Sequence, residues 1–349
     1  MNIDEKYIKR CIELSKHGYG HVEPNPYVGA VIVNDNKIIG EGFHIKYGGP
    51  HAEVNAINSV KDKEILKSST IYVNLEPCSH QGKTPPCANL IIESGIKKVV
   101  ISMLDPNKLV SGNGVSMLKN AGVDVKTGVL ENESKWLNRR FITFHSKQRP
   151  YIILKWAKTI DGFIDIDRRN NSTEDNWITG NELKMLTHRW RRQEQGILIG
   201  HNTLINDNPK LNVREWVGKD PVKILITKEI PNEEKFNIFK SGNKTIVFNQ
   251  HKSFESNSAE YIKVDFDENM VESILNELYK KNLISIIVEG GKKTLEMFIK
   301  KGFWDEARIL TGNKRFIRGL DSPKLENETK IYEKKINNDI LQIFKNKYL

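Results

Sequence analysis

His51-Ala52-Glu53, followed by Pro77-Cys78 and then Cys87, is the part of the sequence on which the fold of the first half depends. One imidazole and two thiolates make three ligands of the kind that zinc prefers, and zinc in proteins takes four. The fourth position is then open to a water molecule, whose pKa the metal lowers. Glu53 lies two residues beyond His51, near enough to carry protons without being a ligand. The set predicts one zinc ion per chain, held by His51, Cys78 and Cys87, with Glu53 as the catalytic residue.

The pattern H-x-E followed by P-C-x-x-C is typical of zinc deaminases, and this chain departs from it in one place. Eight residues, rather than two, separate Cys78 from Cys87. The run Pro-Cys-Ser-His-Gln-Gly-Lys-Thr-Pro-Pro-Cys over 77–87 resembles the deaminase half of the bifunctional riboflavin-biosynthesis deaminase–reductases. The resemblance implies an N-terminal domain with a cytidine deaminase-like three-layer α/β/α sandwich.

Length and composition bound the class of protein. The chain has 349 residues, which favours two domains. No apolar run approaches the roughly 20 residues of a membrane span, and the start of the chain, 1–6, opens an amphipathic helix rather than a signal peptide. Three cysteines in this length favour a reducing compartment over a disulfide scaffold. We therefore expect a cytoplasmic protein that does not bind membranes.

The net charge of +10 raises nucleic acid as a partner. Its distribution weakens that interpretation, because residues 1–150 carry 20 basic and 15 acidic side chains and residues 151–349 carry 34 and 29. Each half is thus +5, with no basic tail. Small phosphorylated ligands explain local lysines and arginines equally well, so we expect no nucleic-acid partner.

Apolar periodicity and capping residues predict an α/β pattern for the first half. The predicted elements are a helix over 4–16, strands over 27–34 and 37–44 turned at Asp35-Asn36, a helix over 51–60, a strand over 70–75, a helix over 87–94, a strand over 97–104, and helices over 115–120 and 134–147. Cys11 lies on the apolar face of the first helix and is expected in the core.

Arg149-Pro150 follows the last of these helices and marks the predicted boundary between a deaminase domain, 1–148, and a reductase domain, 149–349. A second α/β pattern follows it. The predicted elements are strands over 151–156, 196–200, 222–227, 244–249 and 284–289, helices over 270–281 and 292–301, and strand-like pieces between 331 and 344.

The second half has no G-x-G-x-x-G fingerprint, but Glu289-Gly290-Gly291 follows a buried strand and precedes a helix. Such a glycine turn lets a helix N-terminus approach a phosphate, although a turn of this kind is often only a turn. Together with 155–162, 177–179 and 200–209, it resembles the reductase half of the same family. The resemblance implies a dihydrofolate reductase-like α/β domain that binds NADPH.

The family's ligand residues are carried over position by position. The resemblance implies cofactor contacts by Ala157, Trp177, Thr203, Asp207, Gly291, Lys292, Lys293, Thr294, Leu295, Glu296 and Met297. It implies substrate contacts by Lys155, Asp175, Arg191, Leu211, Arg214 and Glu289, among which the arginines suit a sugar phosphate. In the first half, Asn25, His80 and Lys83 are expected to contact the substrate.

Three stretches depart from the family's reductase pattern. Residues 165–171 read as an insertion, 159–162 read Thr-Ile-Asp-Gly where the family has Ser-Leu-Asp-Gly, and 311–319 lack the expected proline- and glycine-rich composition. One alternative is therefore an active deaminase with a degenerate reductase domain.

The resemblance implies hydrolytic deamination of a 2,5-diaminopyrimidinone ribosylamine phosphate, followed by NADPH-dependent reduction of its ribosyl group to a ribityl group. The partners are then phosphorylated pyrimidines, and a homo-oligomer is expected. A nucleic-acid base deaminase with an accessory domain is a further alternative. A purely structural zinc domain is a third, although such a site needs a fourth protein ligand.

Overall fold

The structure, a computed structural model, describes residues 2–79, 85–107, 110–168, 177–240 and 242–348. The chain forms two compact units, Met1–Gln148 and Arg149–Leu349, each built on its own principal sheet. None of the helices in the described ranges has both the length and the apolar composition needed to cross a lipid bilayer.

The first unit alternates helices with the strands of one sheet. Its helices are α1 (Ile3–Ser15), α2 (Ala52–Ser59), α3 (Cys87–Glu93), α4 (Asn113–Asn120), α5 (Glu131–Leu137) and α6 (Arg139–Lys147). Its strands are β1 (Gly29–Asn34), β2 (Lys37–Phe43), β3 (Thr70–Leu75), β4 (Lys98–Met103) and β5 (Asp124–Thr127). Strand β5 is short and mostly exposed, so it lacks the apolar pattern that predicts a strand, and the sequence analysis missed it.

The five strands have the order β2-β1-β3-β4-β5, with β1 antiparallel to both of its neighbours and the remaining pairs parallel. Successive side chains of β1 point to opposite faces, and both faces are buried. Ile32 packs with residues of α2, α3 and α4 on one face. Val31 packs with residues of α1 and α5, including Cys11, on the other. Helices therefore cover the sheet on both sides, as the predicted three-layer sandwich requires.

The predicted single helix over 134–147 is wrong, because two helices meet at Asn138. This residue has φ −95° and ψ 16°, outside the helical range. Its buried amide accepts a hydrogen bond from Tyr27 N at 2.8 Å and donates one to Tyr27 O at 3.1 Å. A contact 111 residues away in the sequence thus breaks a helix that local periodicity alone predicts as continuous.

The second unit is larger and contains most of the strands. Its helices are α7 (Asn181–Gln193), α8 (His201–Asp207), α9 (Met270–Lys280) and α10 (Lys292–Lys300). Its strands are β6 (Tyr151–Thr159), β7 (Phe163–Ile166), β8 (Gly196–Gly200), β9 (Val222–Ile226), β10 (Thr245–Asn249), β11 (Phe254–Glu255), β12 (Ala259–Lys263), β13 (Ser285–Val288), β14 (Glu306–Gly312), β15 (Gly319–Asp321), β16 (Glu328–Ile336) and β17 (Asp339–Asn346).

Ten of these strands form one sheet in the order β11-β12-β10-β9-β8-β13-β6-β14-β17-β16. The seven strands from β12 to β14 are parallel, and antiparallel strands close both sides. Strands β7 and β15 pair separately. Carboxyl ends of parallel strands meet at one edge of a sheet, where α/β proteins place their ligands. In this unit, the segments after β8 and β13 therefore lie at the same edge.

Two apolar clusters cover the two faces of this sheet. Ile152 and Leu154 pack with residues of α9 and α10 on one face, while Tyr151 and Ile153 pack with α7 on the other. Lys155 lies on the same face of β6 as Tyr151 and Ile153, so β6 places a charged side chain beside apolar neighbours. The sequence analysis missed α7, because six charged or histidine side chains occupy its 13 positions and interrupt the apolar stripe.

Candidate active sites

The first site consists of His51, Cys78 and Cys87, whose ligand atoms all lie within 4.8 Å of one another. Nδ1 of His51 is 3.6 Å from Sγ of Cys78 and 3.4 Å from Sγ of Cys87. Within the described ranges this group has three members. Two sulfurs and one imidazole nitrogen are a donor set that zinc accepts, with a fourth position left for a non-protein ligand.

These three side chains lie in the segments that follow a strand or begin a helix. His51 immediately precedes α2, Cys78 follows β3 after two residues, and Cys87 is the first residue of α3. The backbone N–H of Cys87 donates to Sγ of Cys78 at 3.3 Å. An unpaired N–H at the start of a helix stabilises a neighbouring thiolate, so this local geometry prepares the sulfur for a metal.

The two thiols differ in acidity because they share a proton. The hydrogen bond with Cys87 lowers the pKa of Cys78 to about 4; burial opposes this shift, and His51 adds to it. The same hydrogen bond, together with burial, raises the pKa of Cys87. A thiolate is the form that binds metal, and the lowered pKa of Cys78 favours that form beside the His51 imidazole.

Glu53 lies in the first turn of α2 and is only 3% exposed. Burial raises its pKa, and the negative charge of Cys78 adds to this effect, so that the pKa reaches about 7. The carboxyl group also shares a hydrogen bond with the Cys87 thiol. A carboxyl group with a pKa near neutrality both accepts and donates protons readily.

Asn25 is joined to a histidine that the sequence analysis missed. Its amide nitrogen lies 3.1 Å from Nε2 of His44, and Nδ1 of His44 lies 3.0 Å from the carbonyl oxygen of Pro50, next to His51. The rings of His44 and His51 meet edge to face at 5.4 Å. Burial lowers the pKa of His44, so a neutral ring accepts from Asn25 and donates to Pro50. A histidine directly after β2 was the available signal.

Glu76 fixes the segment before Cys78. Its buried carboxylate accepts hydrogen bonds from the N–H groups of Asp105 at 3.1 Å, Gly112 at 2.9 Å and Val115 at 3.2 Å. These groups follow β4 or begin α4. The end of β3 is therefore tied to the next strand's loop and helix, which holds the Cys78 backbone in place.

The second site lies in the second unit, around Glu289 at the carboxyl end of β13. Arg191 of α7 donates to both of its oxygens, and Nζ of Lys155 is 3.6 Å away. Burial raises the pKa of Glu289, but the two cations outweigh burial and lower it to about 2. Burial also lowers the pKa of Lys155, while Glu289 opposes that shift. Three predicted substrate residues thus form one buried charged cluster.

Two further predicted substrate residues belong to an irregular segment beside this cluster. Leu211 is buried in the core with φ 52°, so it shapes the segment rather than presenting a polar group. Arg214 is 42% exposed, and its backbone N–H donates to Nδ1 of His188 at 3.3 Å. His188, on α7, is another residue that the sequence analysis missed.

The predicted phosphate turn after β13 is built as the glycines require. Gly291 N donates to Oγ1 of Thr203 at 2.8 Å, which joins α8 to the start of α10. Gly200 lies at the start of α8, and a Cβ there would overlap with Oγ1 of Thr294. The start of α8 therefore packs closely against the start of α10. Among the other carried-over positions of this run, Leu295 is in the core and Met297 packs against that core. Lys292 pairs with Glu296 at 3.8 Å, and Lys293 is exposed.

The remaining predicted cofactor residues are partly accessible. Trp177 is 39% exposed, with Nζ of Lys184 5.1 Å from its ring centre. Ala157 is half-buried on β6. Asp207 lies 3.4 Å from Nη2 of Arg168, a residue of the predicted insertion. The predicted substrate residues His80, Lys83 and Asp175 lie outside the described residues.

Both halves of the chain match family models. The model described as "Cytidine and deoxycytidylate deaminase zinc-binding region" matches residues 1–103, and the model described as "RibD C-terminal domain" matches residues 150–322. A zinc-binding deaminase region and a reductase domain imply zinc and NADPH in general as cofactors. The matches also confirm the predicted pair of activities, one hydrolytic and one reductive.

Similar proteins cover nearly the whole chain. "Riboflavin biosynthesis protein RibD" of Aquifex aeolicus is 38% identical over 358 residues, which span 98% of this chain and 98% of the relative. The corresponding Bacillus amyloliquefaciens protein is 37% identical, over 87% of this chain and 83% of the relative.

The solved structure from Thermotoga maritima described as a diaminohydroxyphosphoribosylaminopyrimidine deaminase/5-amino-6-(5-phosphoribosylamino)uracil reductase superposes with a TM-score of 0.89, at 39% identity over 99% of both chains. RibD of Acinetobacter baumannii superposes with a TM-score of 0.88, at 29% identity over 98% of both chains. The predicted fold class, a deaminase-like sandwich and a reductase-like α/β domain, is confirmed, and the chain belongs to the bifunctional RibD deaminase–reductases of riboflavin biosynthesis.

Proposed function

We propose that this chain deaminates a 2,5-diaminopyrimidinone ribosylamine 5′-phosphate in the first unit and reduces the ribosyl group of the product in the second. The observation that carries the proposal is the three-ligand group of His51, Cys78 and Cys87 with buried Glu53 beside it. The similar structure from Thermotoga maritima, a deaminase and reductase of this pyrimidine pair by its description, supports the choice of pyrimidine.

In the first unit, His51, Cys78 and Cys87 hold one zinc ion per chain. Zinc supplies Lewis acidity toward a water molecule. Glu53 accepts a proton from that water and returns protons to the ring nitrogen and to the departing ammonia. Its pKa near neutrality suits both directions of transfer. Water replaces the exocyclic amino group, so the products are a carbonyl group and ammonia.

Asn25 hydrogen-bonds the substrate's base or ribose, and His44 orients it. The neutral His44 ring accepts from the Asn25 amide and donates to Pro50, which leaves the Asn25 side-chain oxygen facing a fixed direction. His80 and Lys83 remain predicted contacts of the substrate or its phosphate.

NADPH, when bound in the second unit, would supply the hydride that reduces C1 of the opened ribose. The glycine turn at Gly290-Gly291 and Thr203 lie at the carboxyl edge of the parallel strands and bind the cofactor's phosphates. Ala157, Trp177, Asp207 and the start of α10 complete the proposed cofactor contacts. Lys155 and Glu289 give polar assistance at the sugar, and Asp175 remains a predicted contact.

Arg191 and Arg214 serve the substrate differently. Arg191 is committed to Glu289 through two hydrogen bonds and has an 11% exposed side chain. Arg214 is exposed and its charge is only loosely opposed, by Glu215 at 3.9 Å. Arg214 is therefore the better ligand for the phosphate of the substrate, while Arg191 holds the Glu289 carboxylate. Leu211, buried with a positive φ, holds the irregular segment that carries Arg214 against the core.

The two units correspond to the proposed activities, with deaminase residues in 1–148 and reductase residues in 149–349. A cytoplasmic location suits three cysteines that are all free thiols. A homo-oligomer stays a prediction. The alternative of a nucleic-acid base deaminase is not favoured, because residues 150–322 match a reductase domain.

The alternative of a degenerate reductase rests on stretches that depart from the family's sequence pattern, and two of these stretches contact each other. Asp161 accepts hydrogen bonds from Phe316 N at 3.1 Å and Ile317 N at 2.9 Å, and Ile160 N donates to Lys314 O at 3.1 Å. Two of the unusual stretches, 159–162 and 311–319, thus pair with each other. This mutual fit supports an intact rather than a decayed reductase domain.

The test is one assay of the full chain with zinc, the diaminopyrimidine substrate and either NADPH or NADH. Ammonia release and nucleotide oxidation are followed separately. We expect ammonia without any nucleotide and nucleotide oxidation only after deamination. Ammonia release without oxidation of either nucleotide would instead support the degenerate reductase.

A further inference from the structure

His188 occupies an unusual position in the second unit, on α7, one turn before Arg191. The side chain is fully buried, at 0% exposure. Arg214 N donates to its Nδ1 at 3.3 Å, so in a neutral ring the proton is on Nε2. Nε2 is buried too and has no hydrogen-bond partner among the described residues. A buried donor without an acceptor does not stabilise a fold, which points to a role other than stability.

The surroundings keep this ring neutral. Burial lowers the pKa of His188, and the charges of Arg191 and Arg214 lower it further, to about 4. Glu289 and Glu215 act in the opposite direction with less effect. At physiological pH, Nδ1 therefore keeps its lone pair and remains available as an acceptor for the Arg214 N–H.

The segment that carries Arg214 needs such an acceptor. Residues 211–214 belong to no helix or strand, so no ladder partner satisfies their N–H groups. Side chains hydrogen-bond the backbone of this segment instead. Val213 N donates to Asp220 at 2.8 Å and Arg214 N donates to His188, while the carbonyl oxygen of Asn212 accepts from Arg191 at 3.4 Å. α7 thus holds this short segment at two points, Asn212 through Arg191 and Arg214 through His188.

We propose that His188 is a positioning residue of the reductase site, which holds the Arg214 backbone so that the Arg214 guanidinium binds the phosphate monoester of the substrate. Arg191 already donates to Glu289 and to Asn212 O, so its main contribution to phosphate binding is its positive charge. The inference rests on the proposed reductase function and deepens it, since that function does not require any residue to orient Arg214.

The first experiment measures binding rather than turnover. Ribose 5-phosphate and ribose are titrated into the full chain by calorimetry, for the wild type and for His188→Leu, His188→Asn, Arg214→Ala and the His188→Leu/Arg214→Ala double variant. Asn offers an acceptor close to the position of Nδ1, and His251→Leu, an exposed histidine of the same unit, is the matched control.

We expect the phosphate-dependent affinity to fall by about 3- to 10-fold in His188→Leu, the scale of one hydrogen bond. Arg214→Ala should weaken binding at least as much, and the double variant no more than Arg214→Ala alone, because both act through one guanidinium. His188→Asn should recover most of the affinity, while His251→Leu should equal the wild type. Thermal midpoints should not fall in His188→Leu.

Several results overturn the inference. These are additive losses in the double variant, an unchanged affinity in His188→Leu, an equal loss with ribose, and no Arg214-dependent binding of ribose 5-phosphate in the wild type. In steady-state reduction, the expected change is a raised KM with little change in kcat, and unchanged ammonia release. If the wild type binds ribose 5-phosphate as expected but oxidises no NADPH, the proposed reductase function fails and the positioning role of His188 stands.

Discussion

Arg191 donates one hydrogen bond to each carboxylate oxygen of Glu289, at 3.1 and 2.7 Å. Their side chains are 11% and 8% exposed, and Lys155 lies near the same carboxylate. A buried carboxylate between two cations stays ionised far below its ordinary pKa. The pair therefore links the proposed reductase site to the acid stability of the second unit.

We expect Glu289→Gln to change the pH dependence of unfolding. The folded pKa of Glu289, about 2, lies below the ordinary value of 4.5. Stabilisation is therefore fully present above about pH 4.5 and is lost as the pH falls toward 2, with a total on the order of 3 kcal/mol. The free energy of unfolding of wild type minus variant should be largest at pH 6 and fall by more than half at pH 3.

Urea unfolding followed by tryptophan fluorescence measures this difference, because five of the six tryptophans lie in the second unit. Glu234→Gln, which removes an exposed carboxylate of the same unit, is the control and should follow the wild type at both pH values. A difference that stays constant between pH 6 and pH 3 would contradict the depressed pKa.

Zinc content is expected to depend on the two thiolates. The Cys78→Ser/Cys87→Ser double variant removes two of the three ligands and should lose the metal, whereas the wild type should hold about one zinc per chain. Elemental analysis of the purified protein is the measurement. Cys11→Ala, which changes a thiol in the core, should keep its zinc; retention of zinc by the double variant would rule out these ligands.

Glu53→Gln should separate metal binding from proton transfer. The amide has nearly the same shape, so fold and zinc content should persist, while ammonia release should fall by roughly 10²- to 10⁴-fold. Reduction of the deaminated substrate by NADPH should be unchanged in this variant. Near-normal ammonia release would exclude Glu53 as the proton carrier.

Local sequence was enough to predict the features that depend on neighbouring residues. The strand over 70–75 and the start of α3 at Cys87 follow from apolar runs and helix-start positions, and the turn at Asp35-Asn36 has positive φ at both residues. The grouping of His51, Cys78 and Cys87 was predictable because zinc chemistry restricts the type and order of its ligand residues.

Features that depend on distant contacts could not be predicted in the same way. Asn138 breaks a helix because its amide binds Tyr27, and Glu76 matters because three N–H groups from a later segment converge on it. His44 and His188 gain their roles from partners 19 and 26 residues away. The place of His44 at the end of a strand was a weak signal, whereas nothing in the sequence around His188 distinguishes it from an ordinary buried histidine.

Arg149 and Asp305 form a buried two-point ion pair, with Nη1 at 2.6 Å and Nη2 at 2.8 Å from the carboxylate oxygens. Asp305 also accepts from Ile152 N at 2.8 Å, at the start of β6. A fragment that begins at Arg149 keeps this pair, whereas one that begins at Tyr151 leaves the Asp305 carboxylate buried without its cation.

We therefore expect the 149–349 fragment to fold alone and bind NADPH without zinc, and the 151–349 fragment to be less stable by about 3–5 kcal/mol, the usual effect of removing one partner of a buried pair. Urea unfolding of both fragments measures the difference. Arg149→Met in the longer fragment should reproduce the loss, because it removes the charge but keeps the chain. Adding Asp305→Asn to Arg149→Met should recover much of it, since a neutral amide still accepts from Ile152 N and leaves no unpaired charge. Equal stability of the two fragments would mean that water reaches Asp305 and that the pair contributes little to the unit.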